Sequence, residues 1–199
     1  MKCHMELYNP GSARAWAYKC GGKTMRLFIA IRFPDQIRKA LIETMTDLRR
    51  QGVGGNFSRV ENLHLTLAFL GEVKSSEQIC RAMDQVNGEP FRLTLDGSGS
   101  FGDLYWVGLK ESPELTDYVK RLRNLLREEE IWFDPKAFKP HITIVRKARH
   151  EGKVQIRLRK ASFPVTKISL MKSERKDGKI VYTEIYAVDL KDQPSEKGM

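Results

Sequence analysis

No stretch of this sequence approaches the roughly 20 consecutive apolar residues that a membrane-spanning helix needs. Residues 1–24 hold no apolar segment that would serve as a secretory signal. A cytoplasmic protein without a membrane partner is the expectation. Cysteine is scarce: Cys3, Cys20 and Cys80 are an odd number and too few for a disulfide framework. Histidine is nearly as scarce, at His4, His64, His141 and His150 only. Acidic charge is in short supply, with 25 Asp and Glu against 35 Lys and Arg, a net charge of +10. Such a surface attracts phosphates and speeds encounters with polyanions. What is present is an ordinary globular composition, 41% hydrophobic and 30% charged over 199 residues. That is enough chain for one domain or two small lobes, and it excludes a disordered one.

Residues 1–24 lack periodicity and are punctuated by Asn9-Pro10-Gly11-Ser12 and Gly21-Gly22, which reads as a loose extension. Cys3, His4 and Cys20 are metal-ligand types, but a structural zinc site wants four ligands at tighter spacing. The folded unit is expected over residues 25–190, followed by a frayed polar tail, 191–199. Leu27, Ile29, Ile31 and Phe33 alternate with Arg26, Phe28, Ala30 and Arg32, as in a strand. Pro34 ends it and opens a helix whose stripe is Ile37, Leu41, Met45 and Leu48. Gly52, Gly54 and Gly55 read as a loop, and a second strand is expected from Leu63 to Leu70. Ser75 with Gln78 is a capping box for a helix through Val86. Phe91–Asp96 and Leu104–Lys110 read as strands joined by the turn Gly97-Ser98-Gly99. Ser112 and Pro113 start a helix with Leu115, Val119, Leu122 and Leu126 inward. A strand is expected over His141–Arg146. Val165–Lys172 and Lys179–Leu190 flank the hairpin signal Asp177-Gly178. The mixture gives an α+β fold with antiparallel sheets and helices packed outside.

One pattern occurs twice: Leu63-His64-Leu65-Thr66-Leu67 and Pro140-His141-Ile142-Thr143-Ile144. Side chains alternate along a strand, so His and Thr two apart share a face, about 6–7 Å apart. The Leu and Ile between them point into a core, with Leu63, Leu65, Leu67 and Phe69 as the first strand's buried row. Two such strands side by side would present two imidazoles and two hydroxyls. One imidazole can take a proton from an attacking oxygen while the other protonates the leaving oxygen of a phosphodiester. The hydroxyls can donate to the non-bridging oxygens. An unperturbed imidazole pKa of about 6.5 suits both roles near neutrality. A single histidine on a strand is usually an ordinary satisfied residue; the repetition is what carries meaning. Neither motif holds a carboxylate or third histidine to complete a metal site, so no metal and no cofactor is expected. His150, in a basic run, reads as solvated.

These residues resemble the two-histidine phosphoesterase superfamily, and within it the RNA 2′,3′-cyclic phosphodiesterase branch, historically the 2′-5′ RNA ligase family. The resemblance spans nearly all of Met25–Leu190. It runs through Met25–Ile31, the block Glu61–Val73 around His64, the block Phe138–Ile144 with Arg146, and Leu170–Ser173 with Gly178 and Tyr182-Thr183. It departs at Ser58-Arg59-Val60, where the family usually has a proline, and at Ile144, where leucine is commoner. The extension is no part of the family plan, so Met25 is the expected natural start.

The resemblance implies two similar lobes around a central cleft, each contributing one His-x-Thr strand. It implies metal-independent opening of RNA 2′,3′-cyclic phosphate ends to 2′-phosphates, and in reverse the joining of such an end to a hydroxyl. His64 would be the proton donor and His141 the proton acceptor. Thr66, Thr143 and Arg146 would bind the phosphate. Strict alternation turns Arg146 away from His141, so a twist or a strand end is needed to bring it round. Phe57, in a loop, and Phe138 are candidates for base stacking. The partner would be RNA with a cyclic phosphate end, met by a monomer.

Two other readings compete. A small-nucleotide phosphodiesterase, acting on a cyclic ADP-ribose phosphate or a 2′-5′ oligoadenylate, would use the same site with different cleft walls. A non-catalytic RNA-binding module would keep the fold, but the intact pairs His64/Thr66 and His141/Thr143 argue against a dead enzyme.

Overall fold

The alternation that starts at Met25 and the helical stripe after Pro34 both become regular structure. A computed structural model of the chain describes residues 4–8, 15–19 and 24–191. In chain order the elements are β1 (His4–Tyr8), β2 (Ala15–Lys19), β3 (Met25–Arg32), α1 (Asp35–Arg50), β4 (Gly54–Phe57) and a 3-10 turn, Val60–Asn62. There follow β5 (His64–Val73), α2 (Glu77–Gln85), β6 (Phe91–Phe101), β7 (Leu104–Leu109) and α3 (Pro113–Glu128). The last four are β8 (His141–Arg149), β9 (Ser162–Val165), β10 (Lys167–Lys176) and β11 (Lys179–Asp189).

Two antiparallel sheets carry the fold. One has the order β11-β10-β3-β5, the other β4-β8-β7-β6-β9. The two histidine strands, β5 and β8, approach each other where the sheets meet. This is the expected α+β architecture with two lobes. Helices α2 and α3 cover the first sheet, touching β11 and β5, whereas α1 crosses to cover β8 of the second. Helix α1 is also tied to the strand-free segment after β8. Thr44 Oγ1 donates to the Arg157 carbonyl at 3.1 Å, and Gln51 Nε2 donates to the Gln155 carbonyl at 2.8 Å. One apolar core joins the inner faces of both sheets to the helical stripes, including Ile37, Leu41, Leu65, Leu122 and Ile142.

The helix signals hold with one adjustment. Ser112 Oγ accepts the Leu115 amide at 3.2 Å and Pro113 is the first helical residue. Helix α2 begins one residue later than a Ser75/Gln78 box would set, and Ser75 Oγ accepts the Glu77 amide at 3.3 Å. The hairpin at Asp177-Gly178 forms with φ of 49° and 74°, the left-handed pair that a two-residue turn requires.

The strand boundaries need four corrections. Residues 4–8 and 15–19, expected within a loose extension, pair as an antiparallel two-stranded sheet. Cys3, Cys20 and residues 192–199 lie outside the described residues, and of His4 only the backbone is described. Gly54 and Gly55 are not loop but edge strand β4, where Gly55 has φ 133° and a Cβ would sit 2.7 Å from the Lys147 carbonyl oxygen. Gly97-Ser98-Gly99 is not a turn. Strand β6 continues to Phe101, absorbing one extra residue in a bulge at Gly97, φ 71°. Finally, β9 and β10 are separate: the chain leaves one sheet at Val165 and enters the other at Lys167.

The glycines of the second sheet keep its cleft face flat. A Cβ at Gly99 would lie 2.5 Å from the Trp106 ring, and one at Gly108 would lie 2.7 Å from the Asp96 carbonyl oxygen. Because the second obstacle is backbone, Gly108→Ala should destabilise the protein by about 1–3 kcal/mol. A urea unfolding midpoint unchanged by that substitution would contradict this packing.

Candidate active site

Each His-x-Thr segment lies at the start of its strand, and alternation does what it must. Leu65 and Ile142 are fully buried, while His64, Thr66, His141 and Thr143 are half-buried on the opposite face. All four line one cleft of about 460 Å³ between the sheets. Arg146 lines it too.

Arg146 reaches the cleft through a bulge. Trp106 pairs with Thr143 and Tyr105 with Val145, so β8 holds one extra residue, Ile144. Ile144 and Val145 are consecutive and both fully buried, and the next side chain, Arg146, emerges on the histidine face. The first copy slips at the same place. Ala30 pairs with Thr66 and Ile29 with Ala68, leaving Leu67 extra. Leu67 and Ala68 are both fully buried, and Phe69 therefore changes face. It does not continue the core row with Leu63, Leu65 and Leu67. It joins Phe28, Ala30, Met171 and Tyr182 in a separate cluster on the cleft side of the first sheet.

Both imidazoles are held by the same device. His64 Nδ1 donates to the Asn62 carbonyl at 2.6 Å, and His141 Nδ1 donates to the Lys139 carbonyl at 2.7 Å. A carbonyl cannot donate, so Nδ1 carries the hydrogen in both rings and Nε2 is the nitrogen left for chemistry. Thr66 Oγ1 lies 3.0 Å from His64 Nε2. The ring of His64 also packs against Phe28 at 4.8 Å and Tyr182 at 5.2 Å between centroids. This burial lowers its pKa from 6.5, the carbonyl of Asn62 opposes the shift, and the charges of Arg146 and His141 add to it. The 3-10 turn before β5 is fastened to the β10–β11 hairpin, with Asn62 Nδ2 donating to the Ile180 carbonyl at 2.9 Å. Ser58, directly after β4, donates its Oγ hydrogen to the Thr143 carbonyl at 2.7 Å and braces the second motif.

Of the two stacking candidates, Phe57 lines the cleft, although from strand β4 rather than a loop, and the Arg49 guanidinium lies 3.9 Å over its ring. Phe138 does not line the cleft. It packs partly buried against the core, with Arg123 5.6 Å from its ring centre. Sequence reading overlooked the roles of Asn62, Tyr182, Phe28 and Phe101. The Phe101 ring meets His141 edge to face at 5.4 Å. Its signal was hidden because the glycine run ahead of it read as a turn. Among the described residues no group of three or more His, Cys, Asp or Glu is placed to hold a metal.

Paired imidazoles presenting Nε2, a threonine beside each, and an arginine brought to the same face define a two-histidine phosphoesterase. A family model described as the 2′-5′ RNA ligase superfamily matches residues 33–177. A Thermotoga maritima protein named RNA 2′,3′-cyclic phosphodiesterase is 33% identical over 158 residues, 73% of this chain and 82% of that one. A Thermus thermophilus protein of the same name is 32% identical over 184 residues, 84% of this chain and 91% of that one. The crystal structure of Escherichia coli LigT complexed with 3′-AMP matches with a TM-score of 0.76 at 29% identity, over 85% of this chain and 100% of that one. The chain belongs to the 2′-5′ RNA ligase superfamily.

The lowered His64 pKa is directly measurable. In the unliganded protein the His64 imidazole should titrate below 6.5 by NMR, and a midpoint above 6.5 would contradict the packing around it. The sign carries over to stability. A depressed histidine pKa leaves stability intact above the unfolded value of 6.5 and removes it as pH falls through the folded value. His64→Asn should therefore lose less stability than wild type between pH 7.5 and pH 5 in matched denaturant titrations.

Proposed function

We propose that this protein opens RNA 2′,3′-cyclic phosphate ends to 2′-phosphates without a metal, with His64 as proton donor and His141 as proton acceptor. The observation that supports this most is the matched anchoring of the two rings. Each Nδ1 is committed to a backbone carbonyl, so proton exchange with a phosphate falls to Nε2 in each ring. Water gives a proton to His141 Nε2 as its oxygen bonds to phosphorus. The bond from phosphorus to O3′ breaks, and O3′ takes the proton from His64 Nε2. Thr66, Thr143 and Arg146 neutralise the non-bridging oxygens through hydroxyl donors and one guanidinium. Arg146 also holds the pKa of His64 down until an anion arrives. A bound phosphate screens that charge and favours the imidazolium, so substrate itself loads the acid.

The substrate class rests on charge and on relatives. A net charge of +10 favours a polyanion over a small nucleotide. The relatives that match over most of their length are named for RNA 2′,3′-cyclic ends. Residues 25–190 are the working unit in this reading. A cytoplasmic setting fits Cys80, a buried free thiol. No helix among the described residues is long and apolar enough to cross a membrane.

The test is a short RNA with a 2′,3′-cyclic phosphate end, incubated in excess EDTA and resolved into 2′- and 3′-phosphate products. A 2′-phosphate is expected. A 3′-phosphate, or a metal requirement, would overturn the mechanism. His64→Ala and His141→Ala should each abolish turnover with the fold retained. Thr66→Ala or Thr143→Ala should cost roughly 10²–10³ in kcat, the loss of one oxyanion donor. In pH–rate profiles the alkaline limb of kcat/KM reports the free enzyme and that of kcat the complex. The kcat limb should therefore lie at higher pH. Coincident limbs would argue against loading of His64 by substrate.

A further inference from the structure

The two catalytic imidazoles each rest against aromatic side chains, but the two aromatic groups differ in exposure. Beside His64, Phe28 is 4% exposed, sealed beneath Tyr182 in the cluster on the first sheet. Beside His141, Phe101 is 44% exposed. Phe101 is tilted by 30° against Trp106, with centroids 5.3 Å apart. Trp106 in turn pairs with Thr143 and covers Gly99, whose missing Cβ leaves room for the indole. A bulge at Gly97 and two constrained glycines thus set a tryptophan and an open phenylalanine beside the His141 end of the cleft, next to its lining residues. The proposed hydrolysis uses neither ring. A phenylalanine at a hairpin end, held by an aromatic neighbour and left nearly half in water, is suited to stack on a flat ligand.

Its position specifies which one. In the proposed mechanism the cyclic nucleotide's O3′ departs toward His64, so that nucleoside lies on the His64 side. The attacking oxygen enters on the His141 side, where Phe101 stands. We infer that Phe101, backed by Trp106, is the stacking platform for a second nucleoside, the one bearing the 5′-hydroxyl that replaces water. This rests on the role assignment given for His64 and His141. The 5′-hydroxyl gives its proton to His141 Nε2 and its oxygen bonds to phosphorus. The bond to O3′ breaks and O3′ takes the proton from His64, leaving a 2′-5′ phosphodiester. In the opposite direction His64 takes the proton of the 3′-hydroxyl, which attacks phosphorus. The 5′-oxygen departs with a proton from His141. Phe101 is then the residue that sets how strongly a nucleoside competes with water for the phosphoryl group.

Two substrates separate the platform from the chemistry. Adenosine 2′,3′-cyclic phosphate has no second nucleoside; a 2′-5′-linked adenylyl-adenosine has one. Phe101→Ala should lower kcat/KM for the dinucleotide by roughly 10–100-fold more than for the cyclic nucleotide, the loss of one stacked base. Phe101→Trp should restore the ratio of the two rates. Equal losses on both substrates, no loss on either, or a wild-type protein that opens the cyclic phosphate but leaves the dinucleotide intact would overturn the platform. A wild-type protein inactive on both would overturn the phosphodiesterase reading itself, and the platform with it.

Discussion

A bulge directly after each His-x-Thr motif decides which side chain next joins the histidine face. Without the bulges at Leu67 and Ile144, simple alternation would send Phe69 and Arg146 into the core. A buried guanidinium without a partner is costly, so the second sheet would not tolerate it. With the bulges, two consecutive side chains enter the core and the next one is delivered to the histidine face. The two copies exploit this in opposite ways. In β8 the delivered residue is Arg146, a guanidinium that lines the cleft. In β5 it is Phe69, which packs against the apolar cluster of Phe28, Ala30 and Met171.

The repeated His-x-Thr pattern was legible because strand alternation is a two-residue rule and both copies obey it from His64 to Thr66 and from His141 to Thr143. The helices were legible for a similar reason, since Pro34 and the Ser112-Pro113 pair act locally. What lay beyond reach was any feature set by a neighbouring strand. The face taken by Phe69 depends on its register against Phe28. The strand character of Gly54–Phe57 depends on β8 beside it. The Gly97-Ser98-Gly99 segment looks like a turn in isolation and is strand because Ser98 and Gly99 pair with Val107 and Trp106 of β7. The carbonyls of Asn62 and Lys139 are the sharpest example: any residue type supplies a carbonyl, so no residue identity marks them.

The fixed Nδ1 protons have a further meaning for reversibility. An acid and a base that exchange duties between the forward and reverse reactions must each be able to use the same atom both ways. Because both rings keep the same tautomer through backbone contacts, neither has to flip when the direction changes. Burial among Phe28 and Tyr182 lowers the pKa of His64.

The chain also crosses between its lobes more than once. It leaves the first sheet at Arg32, lays α1 over the second, and returns at β5; it crosses again at Thr166, between β9 and β10. Neither lobe is therefore a contiguous piece of polypeptide, and no single cut yields one half with a complete sheet and its own covering helices. Helix α3, between β7 and β8 of the second sheet, touches β5 of the first, and α1, entered from β3 of the first, touches β8 of the second. The halves must consequently fold together, and any opening of the cleft has to be borne by bending of these shared crossings, not by two bodies drifting apart on a tether.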